Sequence, residues 1–374
     1  MAAPSAEGGP APLRILVVAN LYPSVAHPAF GTFVGARVDA LRRDGQRVSV
    51  AAITDDRVHQ RIGVKYLRLV LRATGAALRA RIARRPYQIV EAHIAFPTGL
   101  VAWPAARLGG GRLVLFCHGS DVTTLPWRSP ARAALARWLF ARADLVIANS
   151  RFTADIAEGR LGPLRRPAEV VSPGVAVPPA GPLPDLATRP VDHVVFVGRL
   201  APGKGAEVLV EAMQRLQEAK VPARLTIVGD GPLRPSLEAQ AANLGASVRF
   251  AGAVAPSQVA ALLRAATVVA VPSTDDEGLG LVALEAMAQG ALVVATAAGG
   301  LAETVRDGEN GRVVAVQDPG ALADALRQLL ADATTPAGDR LRSGGRATAT
   351  SHDLGRSVQA TVTRFRALIM DLSD

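Results

Sequence analysis

Val170 to Pro190 reads VVSPGVAVPPAGPLPDLATRP, with prolines at Pro173, Pro178, Pro179, Pro182, Pro184 and Pro190. Proline fixes φ and removes a backbone donor, so a run this dense forms neither a helix nor a central strand. It divides the chain into two parts with one shared rhythm. Upstream, the short apolar runs Arg14 to Asn20 (RILVVAN), Val48 to Ile53, Gln88 to Ala92, Leu113 to Cys117 and Leu145 to Ala148 alternate with helix-length segments. One such segment runs from Thr32 to Arg43 and closes at Asp44-Gly45. Downstream the rhythm restarts at His193 to Val197 and continues through Leu225 to Val228, Val248 to Phe250, Val268 to Val271 and Leu292 to Ala295. Continuous apolar strands alternating with helices predict parallel sheets covered on both faces. The fold expected is α/β, two Rossmann-like doubly wound domains facing a central cleft that lies between the carboxyl ends of both sheets. The divisions are a disordered leader (1–12, MAAPSAEGGPAP), a first domain (13–172), a linker (173–190), a second domain (191–350) and a C-terminal helix (351–374).

Composition narrows the function classes. Of 374 residues 49% are hydrophobic and 4% aromatic, enough for large aliphatic cores. The single cysteine, Cys117, excludes an internal disulfide framework and any multi-cysteine zinc or iron–sulfur centre. No apolar run reaches the roughly 18 residues of a membrane span, and the leader lacks the regions of a signal peptide. A cytoplasmic chain is expected, with the inner membrane face as a peripheral site. The net charge of +10 is carried by arginine, since lysine occurs only at Lys65, Lys204 and Lys220. It reflects either GC-rich coding or an anionic partner: a phosphorylated sugar donor, an acidic membrane or nucleic acid. No nucleic-acid module or aromatic stacking set is present, so nucleic acid is not an expected partner.

Between Arg61 and Arg85 there are eight basic residues and no acidic one. On a helical wheel Arg61, Lys65, Arg68, Arg72 and Arg79 form one stripe, and Val64, Leu67, Leu71, Leu78 and Ile82 the neighbouring one. Two readings follow. Either the helix rests on an anionic membrane, or its leucine side packs on the sheet while the arginines stay solvated. Gly75 weakens the helix.

Val197-Gly-Arg-Leu-Ala-Pro-Gly-Lys-Gly205 lies between a predicted strand and a predicted helix. Glycines there let backbone N–H groups approach phosphate, and Arg199 and Lys204 add positive charge. Gly198 to Lys204 also fits the opening of a P-loop, but Gly205 stands where that motif needs Ser or Thr for magnesium. Further on, Glu277-Gly-Leu-Gly-Leu-Val-Ala-Leu-Glu285 enters the helical stretch Leu281 to Gln289. Glu277 is expected in the loop and Glu285 one turn inside the helix. Phosphate would meet the N–H groups near Leu281 and Val282, and the two carboxylates would accept hydrogen bonds from sugar and ribose hydroxyls. An acidic helix start favoured by the macrodipole is the plainer alternative. His118, at the carboxyl end of a strand in FCHGSD, faces the expected cleft and suits proton sharing near neutral pH. Cys117 beside it points to the opposite face and is expected to be buried packing. In His27-Pro-Ala-Phe-Gly31-Thr32, Gly31 permits close backbone approach at a helix start. His93 ends another strand and lines either the acceptor side or the core.

Taken together these motifs resemble the retaining GT-B glycosyltransferases of family 4. The likeness runs from Ile15 to about Gly311 through YPS…HPAFGTFV, FCHGSD, SPGV, VGRL…KG, IVGDGP, the two-glutamate motif, and AAGGLAETV followed by DGENG. It implies that Arg199 and Lys204 bind the donor diphosphate and Glu285 the ribose. It implies too that Glu277 grips the donor sugar with backbone around Gly278, Gly280, Leu281 and Val282, and that His118 contacts the sugar near the reacting centre. Gly31 would sit against the diphosphate, and Gly229, Asp230 and Val254 would complete the donor side. The acceptor side would hold His27, Thr32, His93 and Asp121. Leu279 departs from the family's usual phenylalanine. No metal and no cofactor is implied, and no Asp-x-Asp pair occurs. The donor expected is a nucleotide-diphosphate sugar, a UDP-sugar first. The acceptor is a lipid-linked or small-molecule hydroxyl, with the 61–85 segment offering an anionic membrane contact. The implied mechanism is front-face attack, the leaving diphosphate oxygen taking the acceptor's proton, unlike the two-carboxylate route of retaining glycosidases. An epimerase or phosphorylase on the same fold is the first rival. A dinucleotide oxidoreductase is another, but Gly229-Asp-Gly-Pro-Leu-Arg234 fails at the third glycine of its motif.

Overall fold

A computed structural model of the chain describes residues 10–55, 61–179, 181–186 and 192–371. The first domain runs β1 (Arg14–Ala19), α1 (Thr32–Arg43), β2 (Arg47–Ala52), α2 (Ile62–Ile82), β3 (Ile89–His93), α3 (Ala95–Gly109), β4 (Arg112–Cys117), α4 (Ser120–Thr123), α5 (Pro130–Phe140), β5 (Leu145–Ala148), α6 (Arg151–Leu161) and β6 (Glu169–Val170). The second runs β7 (His193–Val197), α7 (Ala206–Glu218), β8 (Arg224–Val228), α8 (Arg234–Gln240), β9 (Val248–Gly252), α9 (Pro256–Ala265), β10 (Val268–Val271), α10 (Leu281–Gln289), β11 (Leu292–Thr296), α11 (Leu301–Thr304), β12 (Arg312–Val314), α12 (Pro319–Asp332) and α13 (Pro336–Ser351). A final helix, α14 (Leu354–Met370), follows.

Both sheets have six strands, in the orders β2-β1-β3-β4-β5-β6 and β12-β11-β10-β7-β8-β9. Every strand pairing in them is parallel. The order reverses between β1 and β3 in the first sheet and between β7 and β10 in the second, so each sheet opens a crevice at its carboxyl edge there. Nearly continuous burial along β1, β3, β4 and β5 matches their unbroken apolar sequence and leaves helices on both faces.

The proline-rich segment is a strap rather than a loose tether. Arg346 donates to the carbonyls of Pro178 (2.7 Å) and Pro179 (3.1 Å). Arg342 reaches both Pro184 O and Gly290 O. Val175 forms a bridge with Asp353, which sets the first interdomain crossing beside the second. After that second crossing α14 leaves the domain it follows. Its Leu354, Val358, Val362, Phe365 and Leu368 pack with Ile15 and Val17 of β1 and Val34, Val38 and Leu41 of α1. Of the leader, residues 1–9 lie outside the described residues, while Pro10 and Ala11 accept hydrogen bonds from Arg366 and Leu13 is buried. Residues 180 and 187–190 of the expected linker likewise lie outside them.

Helix α2 is continuous through Gly75. The expectation that its leucine side packs on the sheet is corrected. The buried face is Leu69, Ala73 and Ala77, packed with Ala102, Ala105 and Ala106 of α3 in one core. The stripe of larger side chains faces out. Small residues win the inner face because α2 and α3 lie close: a Cβ on Gly109 would fall 2.8 Å from that of Ala77.

Candidate active site

The floor of the cleft is built where two strand-end loops meet. Gly119 follows β4 with φ 124°, and a Cβ there would lie 3.2 Å from the Gly278 Cα. A Cβ on Gly278 would approach the His118 carbonyl oxygen to 2.3 Å. Glycine at both positions lets the two domains touch backbone to backbone. Asn149 Nδ2 donates to that same carbonyl at 3.0 Å. A second tie lies beside it: Glu303 of α11 accepts from the N–H groups of Arg151 (2.9 Å) and Phe152 (2.6 Å), capping α6 of the opposite domain.

A cavity of about 280 Å³ opens between the two domains at this floor. The first domain contributes Phe33, His118 and Asn149; the second contributes Arg199, Lys204, Glu277 and the start of α10. The loop from β7 to α7 that carries Arg199 and Lys204 is held by missing side chains. Gly205 caps α7 at φ 71°, where a Cβ would fall 1.8 Å from the Pro272 carbonyl oxygen. Gly229 and Gly231 leave room in the same way for the carbonyls of Gly198 and Leu200. Lys204 Nζ lies 2.6 Å from Glu277 Oε2, an oxygen that also accepts from Ser273 Oγ at 3.1 Å. Anion and cation thus hold each other at the mouth of the loop from β7 to α7.

Helix α10 starts at Gly280 (φ 79°) with no side-chain cap. Its first N–H groups, at Leu281 and Val282, have no intrahelical acceptor, and both residues line the cavity. The positive end of the helix therefore faces the same space as Arg199 and Lys204. Glu285 is one turn further in, where burial pushes its carboxyl up to about 7.

His118 is supported from behind by a chain of buried polar groups. His118 Nε2 is 3.1 Å from His93 Nδ1, His93 Nε2 is 2.6 Å from Glu91 Oε1, and Arg37 Nε donates to the same oxygen at 2.6 Å. Burial alone would raise the Glu91 carboxyl, but Arg37 and His93 hold it down to about 2. An ionised carboxylate only accepts, so His93 carries its proton on Nε2. Burial lowers the pKa of His93. Its Nδ1 is then an acceptor, which assigns the His118 proton to Nε2. Burial, with His93 and Arg37 adding to it, pushes His118 well below the usual histidine range, so the ring is neutral at pH 7.

Two residues expected on the acceptor side do not face the cleft. His93 is fully buried, its two ring nitrogens engaged by Glu91 and His118. Asp121 is also fully buried. Its carboxylate accepts from the N–H groups of Ala95 (2.7 Å), His118 (2.9 Å) and Gly119 (2.9 Å), locking the turn that presents His118. Burial still raises that carboxyl to about 6, against the pull of those backbone donors. His27, on the β1–α1 connection, and Thr32, the first residue of α1, lie outside the cavity lining, His27 within 3.9 Å of Asp55. Gly31 caps α1 at φ 73° and packs on Leu21. Gly229, Asp230 and Val254 sit at the carboxyl ends of β8 and β9, beside the Arg199 loop but outside the cavity lining, and Asp230 is engaged with Arg234 at 3.3 Å. Leu279 is buried and lines the cavity. Cys117 is buried with its thiol pushed well up by desolvation, which removes it as a nucleophile. Arg37, Glu91, Phe33, Asn149 and Glu303 were not singled out from the sequence. Two of them carried a signal: Glu91 interrupts the apolar strand IVEAH, and Arg37 falls on the apolar face of α1 with Val34, Val38 and Leu41.

Comparison with known proteins bears on this geometry. Residues 191–332 match the family model described as "Glycosyl transferases group 1", and residues 31–177 match "Glycosyltransferase Family 4". A GDP-mannose-dependent alpha-(1-6)-phosphatidylinositol monomannoside mannosyltransferase of Mycolicibacterium smegmatis is 37% identical over 258 residues, 64% of this chain and 66% of that protein. A D-inositol 3-phosphate glycosyltransferase of Corynebacterium urealyticum is 37% identical over 66% of this chain and 64% of its own length. These alignments span just under two thirds of those relatives. The Mycobacterium tuberculosis protein with the mannosyltransferase name is 31% identical over 85% of this chain and 89% of its own. Among solved structures, Anabaena HepE in complex with UDP-glucose superposes with a TM-score of 0.76 at 22% identity, covering 95% of this chain and all of that one. The sucrose-phosphate synthase of Thermosynechococcus elongatus gives 0.76 at 23% identity over 96% of this chain and all of its own. Both share the two-domain GT-B fold.

Proposed function

The chain belongs to the glycosyl transferases of group 1 and family 4, and from that premise we propose that it moves a hexosyl unit from a nucleoside-diphosphate sugar to a hydroxyl acceptor with retention of anomeric configuration. The observation that carries the reading is the convergence of Arg199, Lys204 and the open N-terminus of α10 on one cavity that His118 enters from the other domain. A diphosphate seated there meets two cations and a helix dipole, and the charge that develops on it as the glycosidic bond breaks is stabilised without reorganisation. Arriving phosphate takes Lys204 from Glu277, which frees that carboxylate for the sugar hydroxyls. Glu285 accepts from the ribose hydroxyls. His118, neutral with its Nε2 proton shared with His93, offers the sugar a fixed polar contact rather than a proton to donate. The acceptor oxygen attacks from the leaving-group side and its proton passes to the departing phosphate oxygen. In this reading the two cations serve in place of a divalent metal, so EDTA leaves turnover unchanged.

GDP-mannose stands first as donor, on the names of the relatives that share 31–37% identity. A UDP-sugar, expected from the family at large, stands second. The named acceptors of the relatives are inositol phosphates, one within a lipid and one free. The acceptor here is read as a hydroxyl of that class, soluble or lipid-linked. A thermal-shift series with GDP, UDP, ADP, ATP and NAD, with and without magnesium, tests the donor side. A ligand at a hundredfold its Kd adds ~2.7 kcal/mol, enough to move the melting temperature by several degrees. Magnesium-independent stabilisation by GDP or UDP supports the proposal and chooses between them. Stabilisation only by NAD, or only by ATP with magnesium, overturns it.

A further inference from the structure

Helix α2 carries an apolar ridge that the fold leaves uncovered. Leu67 is 59% exposed, Leu71 65% and Ile82 81%, with Val64 and Leu78 on the same line. At about 100° per residue that ridge lies on the opposite side of the helix from Leu69, Ala73 and Ala77, which face the core. Elsewhere among the described residues large exposed hydrophobics are scattered singly. Lys65, Arg68, Arg72 and Arg79 run along one side of the ridge and Arg81 along the other, and no acidic side chain occurs from 61 to 85. Arg72 and Arg79 also border an open hollow of about 470 Å³ against Ser49 and Thr54, beside β2. An apolar ridge beside a row of arginines is complementary to an apolar layer beneath an anionic surface. A water-facing helix has no use for the ridge, and a second copy of this helix would set like charges against each other.

We propose that α2 seats this protein on an anionic lipid bilayer, the ridge entering the acyl boundary and the arginines meeting lipid phosphates. The helix also fixes which side of the molecule faces the lipid. Its first turns are tied to the carboxyl edge of the first sheet: Lys65 pairs with Asp55 at 2.9 Å, and the Tyr66 hydroxyl accepts from Asn20 Nδ2 at 3.2 Å. The bilayer therefore lies at the edge of the cleft on the first-domain side, where a lipid-borne hydroxyl has the shorter path. The inference stands apart from the choice of donor, because the thermal-shift series contains no lipid.

The only cysteine is buried, so an engineered one can be labelled alone. The full chain carrying Leu71→Cys with an environment-sensitive dye is mixed with vesicles of phosphatidylcholine containing 30% phosphatidylglycerol, and with phosphatidylcholine alone. The same dye at Leu135→Cys, an exposed site on α5, is the control. The expected result is a blue shift at position 71 with anionic vesicles only, reduced by 0.5 M salt, and none at position 135. In flotation, Leu67→Gln/Leu71→Gln/Leu78→Gln should bind those vesicles at least tenfold more weakly than the parent while keeping its melting temperature and its GDP or UDP shift. Equal dye responses at both positions, undiminished flotation of the triple variant, or a position-71 shift that grows with protein concentration without lipid would each overturn the proposal. The last would assign the ridge to self-association.

Discussion

Replacing Glu285 with glutamine should separate the stability of the second domain from its grip on nucleotide. Burial in the first turns of α10 raises this carboxyl from its ordinary 4.5 to about 7. The folded chain then binds that proton more tightly than the unfolded chain does. The stability this confers is complete below pH 4.5 and is lost as pH rises through 7. At ~1.4 kcal/mol per pH unit the gap amounts to about 3 kcal/mol, an upper figure because the side chain is only half-buried. Glutamine carries no charge at any pH. At pH 8 the Glu285→Gln chain should therefore be more stable than the parent by up to about 3 kcal/mol, or several degrees of melting temperature, with the two converging near pH 5. In the proposed reading the same change also weakens a contact to the ribose. A charge-assisted hydrogen bond contributes ~1.5–3 kcal/mol, so affinity for GDP or UDP should fall about 10- to 100-fold at pH 8. Melting curves at pH 5 and pH 8, with titration calorimetry at pH 8, measure both quantities. A stability difference that does not change between the two pH values would refute the desolvation reasoning, and unchanged affinity would remove Glu285 from the ribose.

Three further changes have expected outcomes. Lys204→Ala should lower kcat by about 10²–10³-fold with the melting temperature held within a degree or two, since the loop is fixed by Gly205 against Pro272 rather than by the lysine; near-parental turnover in a donor-consumption assay would sink its assignment to the leaving group. Glu91→Gln leaves Arg37 as an unpaired buried cation and should cost about 3–5 kcal/mol in urea unfolding, and a loss below 1 kcal/mol would show that the pair is not desolvated. Asp121→Ala strips the acceptor from three backbone donors around His118, each costing ~1–3 kcal/mol when left unmet. Its unfolding midpoint should drop by more than that of Asp121→Asn, which keeps one carbonyl oxygen; equal drops would contradict the capping role.

Ten of the twelve strands were legible because parallel strands buried on both faces read as unbroken apolar runs, as in Arg14 to Ala19 or His193 to Val197; the edge strands β6 and β12, two and three residues long and only half-buried, carry no such run. Arg199, Lys204, Glu277 and Leu281 were legible because glycines at fixed spacing mark where backbone must approach something closely. What stayed hidden was depth. His93 ends a strand just as His118 does, and spacing alone does not say that one ring faces the cavity and the other stands behind it. Asp121 was expected on the acceptor side, and nothing in FCHGSD shows that its carboxylate turns back on three N–H groups. Of the two readings of α2, the one that packed its leucine side on the sheet fails for a related reason. Leucines outrank alanines on any hydropathy pattern, yet where α3 comes close, at Gly109, the inner face of α2 carries Ala73 and Ala77, with Leu69 the one leucine turned inward.

The departure of α14 from the domain it follows has a consequence for how the molecule comes into being. During synthesis the first domain emerges early, but the helix that covers Ile15, Val17, Val34, Val38 and Leu41 is not translated until the whole second domain has been made. Until then that apolar face is open to water and to other nascent chains, and a first domain folding as a unit can reach only an unfinished state. Completion of the amino-terminal half is thus conditional on the carboxyl-terminal half having been produced intact. A ribosome that stalls inside the second domain releases a chain whose first domain lacks the helix that covers this face.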